Sequence, residues 1–156
     1  MATNDNTKIV IDDVPLNLPE NKEELYQAMK GIKEGLNKAN ANGVLDLRRA
    51  GMLGRAMKLL AAIISDVSKS CYSESKDKKF DINLPNKTVL KTVVDNITSA
   101  IQDANLKGTY TTVDESEQLC ECLMIITDLI NGIIALIEKA EQNKKTEKIH
   151  ESNETI

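Results

Sequence analysis

The sequence predicts a mainly α protein: a four-helix bundle built from two duplicated αα-hairpins, each preceded by a short extended or β segment. Three observations carry this. Apolar residues recur at helical spacing over four long stretches, glycine-containing turns join those stretches in pairs, and the second half repeats the first at an offset of about 65 residues. The chain has 156 residues, 41% hydrophobic and 28% charged, enough for one folded domain with tails. Aromatic residues make up 3%, so the core has to be aliphatic. That suits helix-on-helix packing better than a β-sandwich. The division that follows is an N-terminal arm (1–13), a first strand-helix-helix unit (14–67), a polar linker (68–79), a second such unit (80–140) and a polar tail (141–156) expected to be disordered.

From Lys8 to Pro19 apolar residues alternate: Ile9 and Ile11, then Val14, Leu16 and Leu18. Period two reads as extended chain, and Pro15 and Pro19 exclude helix. Pro15 also argues for an edge strand or a surface arm over a central strand. Asn21, with Glu24 three residues on, starts the first helix, whose stripe is Leu25, Ala28, Met29, Ile32, Leu36 and Ala39. Gly43 ends it in the left-handed conformation. Asp46 caps the second helix, with Leu47, Ala50, Leu53, Met57, Leu60, Ile64 and Val67 on one face. Gly51 and Gly54 weaken its first turns by about 1 kcal/mol each relative to alanine, unless they permit a close helix approach.

After the linker, Phe80, Ile82 and Leu84 alternate again. A third helix carries Val89, Leu90, Val93, Val94, Ile97 and Ile101 and ends before Gly108. Thr112 and Glu115 form a capping box for the fourth, which is expected to run to about Ala140. Leu16-Asn17-Leu18-Pro19 matches Ile82-Asn83-Leu84-Pro85, Ala39-Asn40 matches Ala104-Asn105, and Gly43 matches Gly108. Helical periodicity alone aligns the apolar positions of any two hairpins, but not these turn residues in the same order. Internal duplication is therefore expected.

The most apolar segment is Leu119–Ile137, broken only by Glu121, Thr127, Asp128, Asn131 and Gly132. A helix apolar nearly all round has to be covered nearly all round. Its apolar surface extends past the stripe that matches the second helix, so Ile125, Ile133, Ile134, Leu136 and Ile137 are the expected interaction surface. They would be covered by another chain or by an arm bearing Ile9, Ile11, Val14, Leu16 and Leu18. Asp128, among apolar neighbours, is expected to reach solvent, to pair with a cation such as Arg55 or Lys58, or to meet a charge across a subunit interface.

The chemistry-bearing residues are few. His150 is the only histidine and falls in the tail, so there is no Glu-x-x-His pair for a di-iron site and no base for a nucleophile. Cys120 and Cys122 lie about 200° apart on a helix, too far round to ligate one ion. Reduced, buried thiols are expected, with Cys71 in the connector the most exposed. No phosphate-binding glycine loop occurs. Asp114, Glu115, Glu117 and Glu121 crowd the start of the fourth helix, where acids favour the helix dipole. The second helix offers Arg48, Arg49, Arg55 and Lys58 instead of facing acids, which reads as charge complementarity between hairpins rather than a Mg²⁺ cage.

Net charge is −4 with no basic footprint, so no nucleic-acid partner is predicted. The start, MATNDNTKIVIDDV, has no signal-peptide pattern, and the longest uncharged run, Leu129–Ile137, is short of the roughly twenty residues of a membrane span. A cytoplasmic protein without membrane contact is expected. Gly108-x-Tyr110-Thr111-x-x-Asp114-Glu115, followed by a helix of small and aliphatic residues, resembles a pattern of small helical virion and accessory proteins of bacteriophages. The resemblance covers about thirty residues and implies a role in capsid or tail assembly, with incorporation into a virion. The expectation is a non-enzymatic structural or assembly protein that binds itself (a homo-oligomer) or another structural protein, with no cofactor, metal or small-molecule substrate. Two alternatives stay open: a Mg²⁺-dependent all-helical nucleotide hydrolase using Glu117 and Glu121, and a small regulator that binds a host protein.

Overall fold

Two glycines fix where the chain reverses. Gly43 (φ 75°) and Gly108 (φ 80°) take the left-handed conformation, the only described residues with positive φ. Around Gly43, the amides of Asn42, Gly43 and Val44 donate to the carbonyls of Lys38, Asn40 and Ala39. Around Gly108, Lys107, Gly108 and Thr109 donate to Asp103, Asn105 and Ala104. Each turn thus satisfies carbonyls that the helix end leaves without partners.

The computed structural model describes residues 7–11, 16, 18–72 and 80–154, with side chains described for 16, 18–72 and 85–142. The elements are β1 (Thr7–Ile11), α1 (Lys22–Ala41), α2 (Leu47–Cys71), β2 (Phe80–Leu84), α3 (Lys87–Leu106) and α4 (Val113–Glu154). Side chains start three of the helices. Asp46 accepts the Arg49 amide at 2.8 Å, Asn86 accepts the Val89 amide at 2.9 Å, and Thr112 accepts the Glu115 amide at 3.1 Å. Glu115 returns a bond to the Thr111 amide at 3.3 Å, one residue before the cap. Asn21 makes no side-chain cap, although its carbonyl accepts the Glu24 amide.

The helices run up-down-up-down. α4 packs against α1 and α3, and α2 packs against α1 and α3. α1 and α3 also touch across the middle, whereas the backbones of α2 and α4 stand further apart on the other diagonal, with Leu60, Leu123 and Ile126 reaching a shared small cavity between them. The core is aliphatic, as the composition requires: Leu25, Ile32, Leu60, Ile63, Ile64, Leu90, Leu129, Ile130 and Ile133 are its largest fully buried side chains. Each stabilises the fold by about 1.5–3 kcal/mol relative to exposure.

Several expectations need correction. The strand before α1 is Thr7–Ile11, within the arm, and not Leu16–Leu18. β1 and β2 form a two-stranded antiparallel sheet, with Thr7 opposite Leu84 and Ile11 opposite Phe80. β1 lies against α4 and β2 against α2. Ile9 and Ile11 are therefore strand residues, while Val14 lies outside the described residues. The segment from residue 141 is not irregular but continues α4 to Glu154. It contains no Pro or Gly and is rich in Glu, Gln and Lys, and extending an existing helix needs no new nucleus. α2 likewise runs on to Cys71, four residues into the expected linker; positions 73–79 are outside the described residues. Leu47 is not on a buried face but 91% exposed, on the outward side of α2 with Gly51, Gly54 and Lys58.

Candidate interaction surface

α1 carries two glycines one turn apart, Gly31 and Gly35, and both face α4. A Cβ on Gly31 would meet Cys122 Sγ at 2.7 Å, and one on Gly35 would meet Leu119 Cδ2 at 2.6 Å. These glycines let the two backbones approach closely. Polar bonds secure the same seam. The Tyr110 hydroxyl donates to the Gly35 carbonyl at 2.9 Å, and Lys38 Nζ meets Glu115 Oε1 at 2.6 Å. The Lys38 hydrogen bond holds the Glu115 carboxyl below its ordinary range, helped by the Thr111 amide and opposed by partial desolvation. Gly51 and Gly54 permit no close helix approach, since nothing lies within 4 Å of where a Cβ would be, which leaves the expected weakening of the first turns of α2. The signal missed was the Gly31-x-x-x-Gly35 spacing on the first helix.

The expected interaction surface is for the most part core. Ile133, Ile134 and Ile137 are buried at 0%, 6% and 1% exposure. Ile125 and Leu136 are half-buried. The expectation assumed that only the hairpin partner of α4 covers it, but here α1 and α3 flank it and the arm adds to them. The Leu16 side chain lies over Gly132, 2.8 Å from where a Cβ would be, and β1 lies against the same helix. Leu18 is half-buried against the core. Lys87 and Lys91 of α3 meet Glu138 at 3.9 Å each, and Lys87 meets Glu141 at 3.3 Å. Asp128 is exposed, so water solvates its charge.

Among the described residues Arg48, Arg49, Arg55 and Lys58 make no ion pair with the acids of α4, because α2 and α4 stand on opposite corners of the bundle. Arg49 instead pairs with Asp103 of α3 at 2.8 Å and donates to Ser99 Oγ at 3.3 Å.

The thiols also depart from expectation. Cys120 is exposed, and Cys71 and Cys122 are half-buried. Burial pushes the Cys71 thiol up to about 11. Burial raises Cys122 too, and Glu121 adds to it. Neither has the lowered pKa of a reactive cysteine.

Among the described residues no three His, Cys, Asp or Glu side chains are grouped so as to hold a metal ion. Val113–Gln142 of α4 is long and apolar enough to cross a membrane by length and composition. In this fold Leu119, Ile126, Ile130, Ile133 and Ile137 of that stretch are turned into the bundle.

Three surface features remain. Leu47, Leu106 and Val113 are 91%, 84% and 83% exposed, and all three lie at the end of the bundle that carries both glycine turns. Between α1 and α2 lies an apolar groove of about 570 Å³ with Met29, Leu36, Leu53 and Met57 in its lining and Lys30, Lys33 and Lys58 around it. A larger groove of about 730 Å³ between α1 and α4 is lined by charges of both signs, among them Glu34, Lys38 and Glu121.

No protein-family model matches the chain, and neither a curated protein nor a solved structure matches it.

Proposed function

We propose that this protein is a non-enzymatic assembly component that acts through protein–protein contacts, with copies of itself or with another structural protein. The observation that carries the reading is the apolar end of the bundle. Leu47, Leu106 and Val113 are left almost wholly in water at one end, although the interior had room for 27 other buried apolar residues. Single exposed aliphatics are ordinary, but three gathered at one end are a contact surface in search of cover. Because they lie at helix termini, a partner can reach them without opening the core.

The reading includes internal duplication. α1 and α3 each have 20 residues, and both end in the same set of three turn hydrogen bonds around a positive-φ glycine. Buried positions correspond as well: Leu25 with Leu90, Ile32 with Ile97, Leu60 with Ile126, Ile64 with Ile130. Duplication gives two equivalent hairpin ends, hence Leu47 and Val113 at equivalent sites. A virion component of a bacteriophage is the specific form of this reading, resting on the motif that opens α4.

The test is a triple replacement, Leu47→Gln, Leu106→Gln and Val113→Gln, in the full chain. All three positions are exposed, so the variant should keep the helical content and melting behaviour of the wild type. Complexes that the wild-type chain retains from its native source should be lost. A wild-type chain that binds neither itself nor any protein, or a triple variant that keeps the same complexes, would overturn the reading.

A further inference from the structure

The charges of α2 and α4 are segregated by sign. From Leu47 to Ser65, α2 carries Arg48, Arg49, Arg55 and Lys58 and no acid. From Val113 to Glu138, α4 carries Asp114, Glu115, Glu117, Glu121, Asp128 and Glu138 and no base. Within one chain these helices stand on opposite corners, and no ion pair joins them among the described residues. Neighbouring helices take up only Arg49, Glu115 and Glu138. Among the described residues, Arg48, Arg55 and Lys58 on one side and Asp114, Glu117, Glu121 and Asp128 on the other make no ion pair. Complementary faces that cannot meet within one copy can meet between two.

The shapes agree with the charges. Beside the basic face, the groove between α1 and α2 has an apolar floor, three lysines around it and no acid in its lining. Gly54 forms part of its wall with nothing within 4 Å of a built Cβ, so an incoming backbone can come close there. On α4, Glu117, Glu121, Met124 and Asp128 follow one another at spacings of four, three and four, one exposed face of a helix. Met124 is 59% exposed in the middle of that acidic stripe, and an unbranched thioether fits an irregular apolar groove.

We infer that the chain assembles head to tail: the Glu117–Asp128 face of α4 in one copy docks into the lysine-rimmed α1–α2 groove of the next, with Met124 on the groove floor. This rests on the reading of the protein as an assembly component and adds, to its apolar end, a second surface through which copies meet. Donor face and acceptor groove are different surfaces of the same chain, so the contact is heterologous. Each copy keeps a free groove or a free face until a ring closes, and otherwise a filament grows.

The experiment is sedimentation of the full-length protein over a range of concentrations, at low and at high salt. Mass should rise with concentration, and association should weaken at least about tenfold with salt, because the pairs are exposed. Two variants each remove one half of the contact: Lys33→Glu with Lys58→Glu spoils the groove, and Glu117→Lys with Glu121→Lys spoils the face. Each alone should be monomeric. Mixed, they should associate again, since the intact face of the first fits the intact groove of the second and the two reversed halves also carry opposite charges. Gly54→Leu fills the groove while replacing a helix-weakening residue, so it should abolish assembly without loss of folding stability. Assembly that survives Gly54→Leu, or variants that fail to pair when mixed, would overturn the inference. So would a wild type that stays monomeric; if it still loses bound proteins on replacement of Leu47, Leu106 and Val113, the inference fails and the proposed function stands.

Discussion

Replacing Gly35 of α1 and Gly51 of α2 by alanine is one chemical change made at two sites of opposite character. In both, alanine gains about 0.5–1 kcal/mol by lowering the chain entropy lost on folding and improving helix propensity. At Gly51 nothing lies within 4 Å of the new methyl, so that gain is the whole effect. At Gly35 the methyl would sit 2.6 Å and 3.3 Å from the two Leu119 methyls and 3.3 Å from the Tyr110 hydroxyl. Leu119 is 7% exposed and has little room to turn, and turning one methyl away leaves the other two contacts. Overpacking of this kind costs about 1–3 kcal/mol. The helix contribution is common to both variants and cancels in their difference, which isolates the packing penalty. Gly51→Ala should therefore be more stable than Gly35→Ala by about 1–3 kcal/mol. For a chain of this size that corresponds to a melting-temperature gap of roughly 2–10 °C. Urea denaturation followed by far-ultraviolet circular dichroism reads the difference directly, provided the slope with denaturant is the same for both variants. Equal stability, or a more stable Gly35→Ala, would refute the close α1–α4 seam.

Ser68 has a buried hydroxyl with no hydrogen-bond partner, so Ser68→Ala should raise stability by about 1 kcal/mol in the same denaturation assay. The Glu115 carboxyl is held below its ordinary value by Lys38, so its contribution is full above the unfolded value near about 4.3 and lost as pH falls through the lower folded value. The melting-temperature gap between wild type and Lys38→Met should accordingly be open at pH 6–7, an approximate window from that reference value, and close in acid; a gap independent of pH would contradict the pairing. A thiol reagent at about pH 8 should label Cys120 first and Cys71 far more slowly, because a thiol near 11 is ionised to only about one part in a thousand there, and peptide mapping by mass spectrometry gives the order. Mg²⁺ with a nucleoside triphosphate should leave the melting temperature unchanged, and a clear rise would favour the hydrolase alternative.

Helix positions and both turns were legible because their determinants are local. Apolar period, Asp46, Thr112 and the two turn glycines sit in the residues that form each element. What failed depended on which helix stands beside which. Ile133, Ile134 and Ile137 look uncovered only if α4 is given a single hairpin partner. With α1 and α3 as its neighbours the same residues are core. The role of Gly31 and Gly35 was hidden for the same reason, since they face a helix more than eighty residues away in sequence. The last turns of α4 were misread because lack of apolar period was taken for disorder, although Glu, Gln and Lys favour helix. The alternation from Ile9 to Leu18 showed extended chain but not which part would pair, since a strand's partner is set at long range. Of the candidate surface, the charged residues of α2 and α4 were visible in sequence. That they face away from each other was not.

The pairing of β1 with β2 joins segments about 70 residues apart, and a free loop of that length costs roughly 4 kcal/mol of chain entropy to close. Two strands alone do not repay that in water. Once the helices have packed, α4 and α2 already hold the surfaces on which the strands rest, and the closure becomes nearly free. The strand pair is thus a clasp that fastens after the bundle has folded. Its amides should exchange with solvent hydrogen well before those of the helices, so that β1 parts from β2 while the four helices stay assembled.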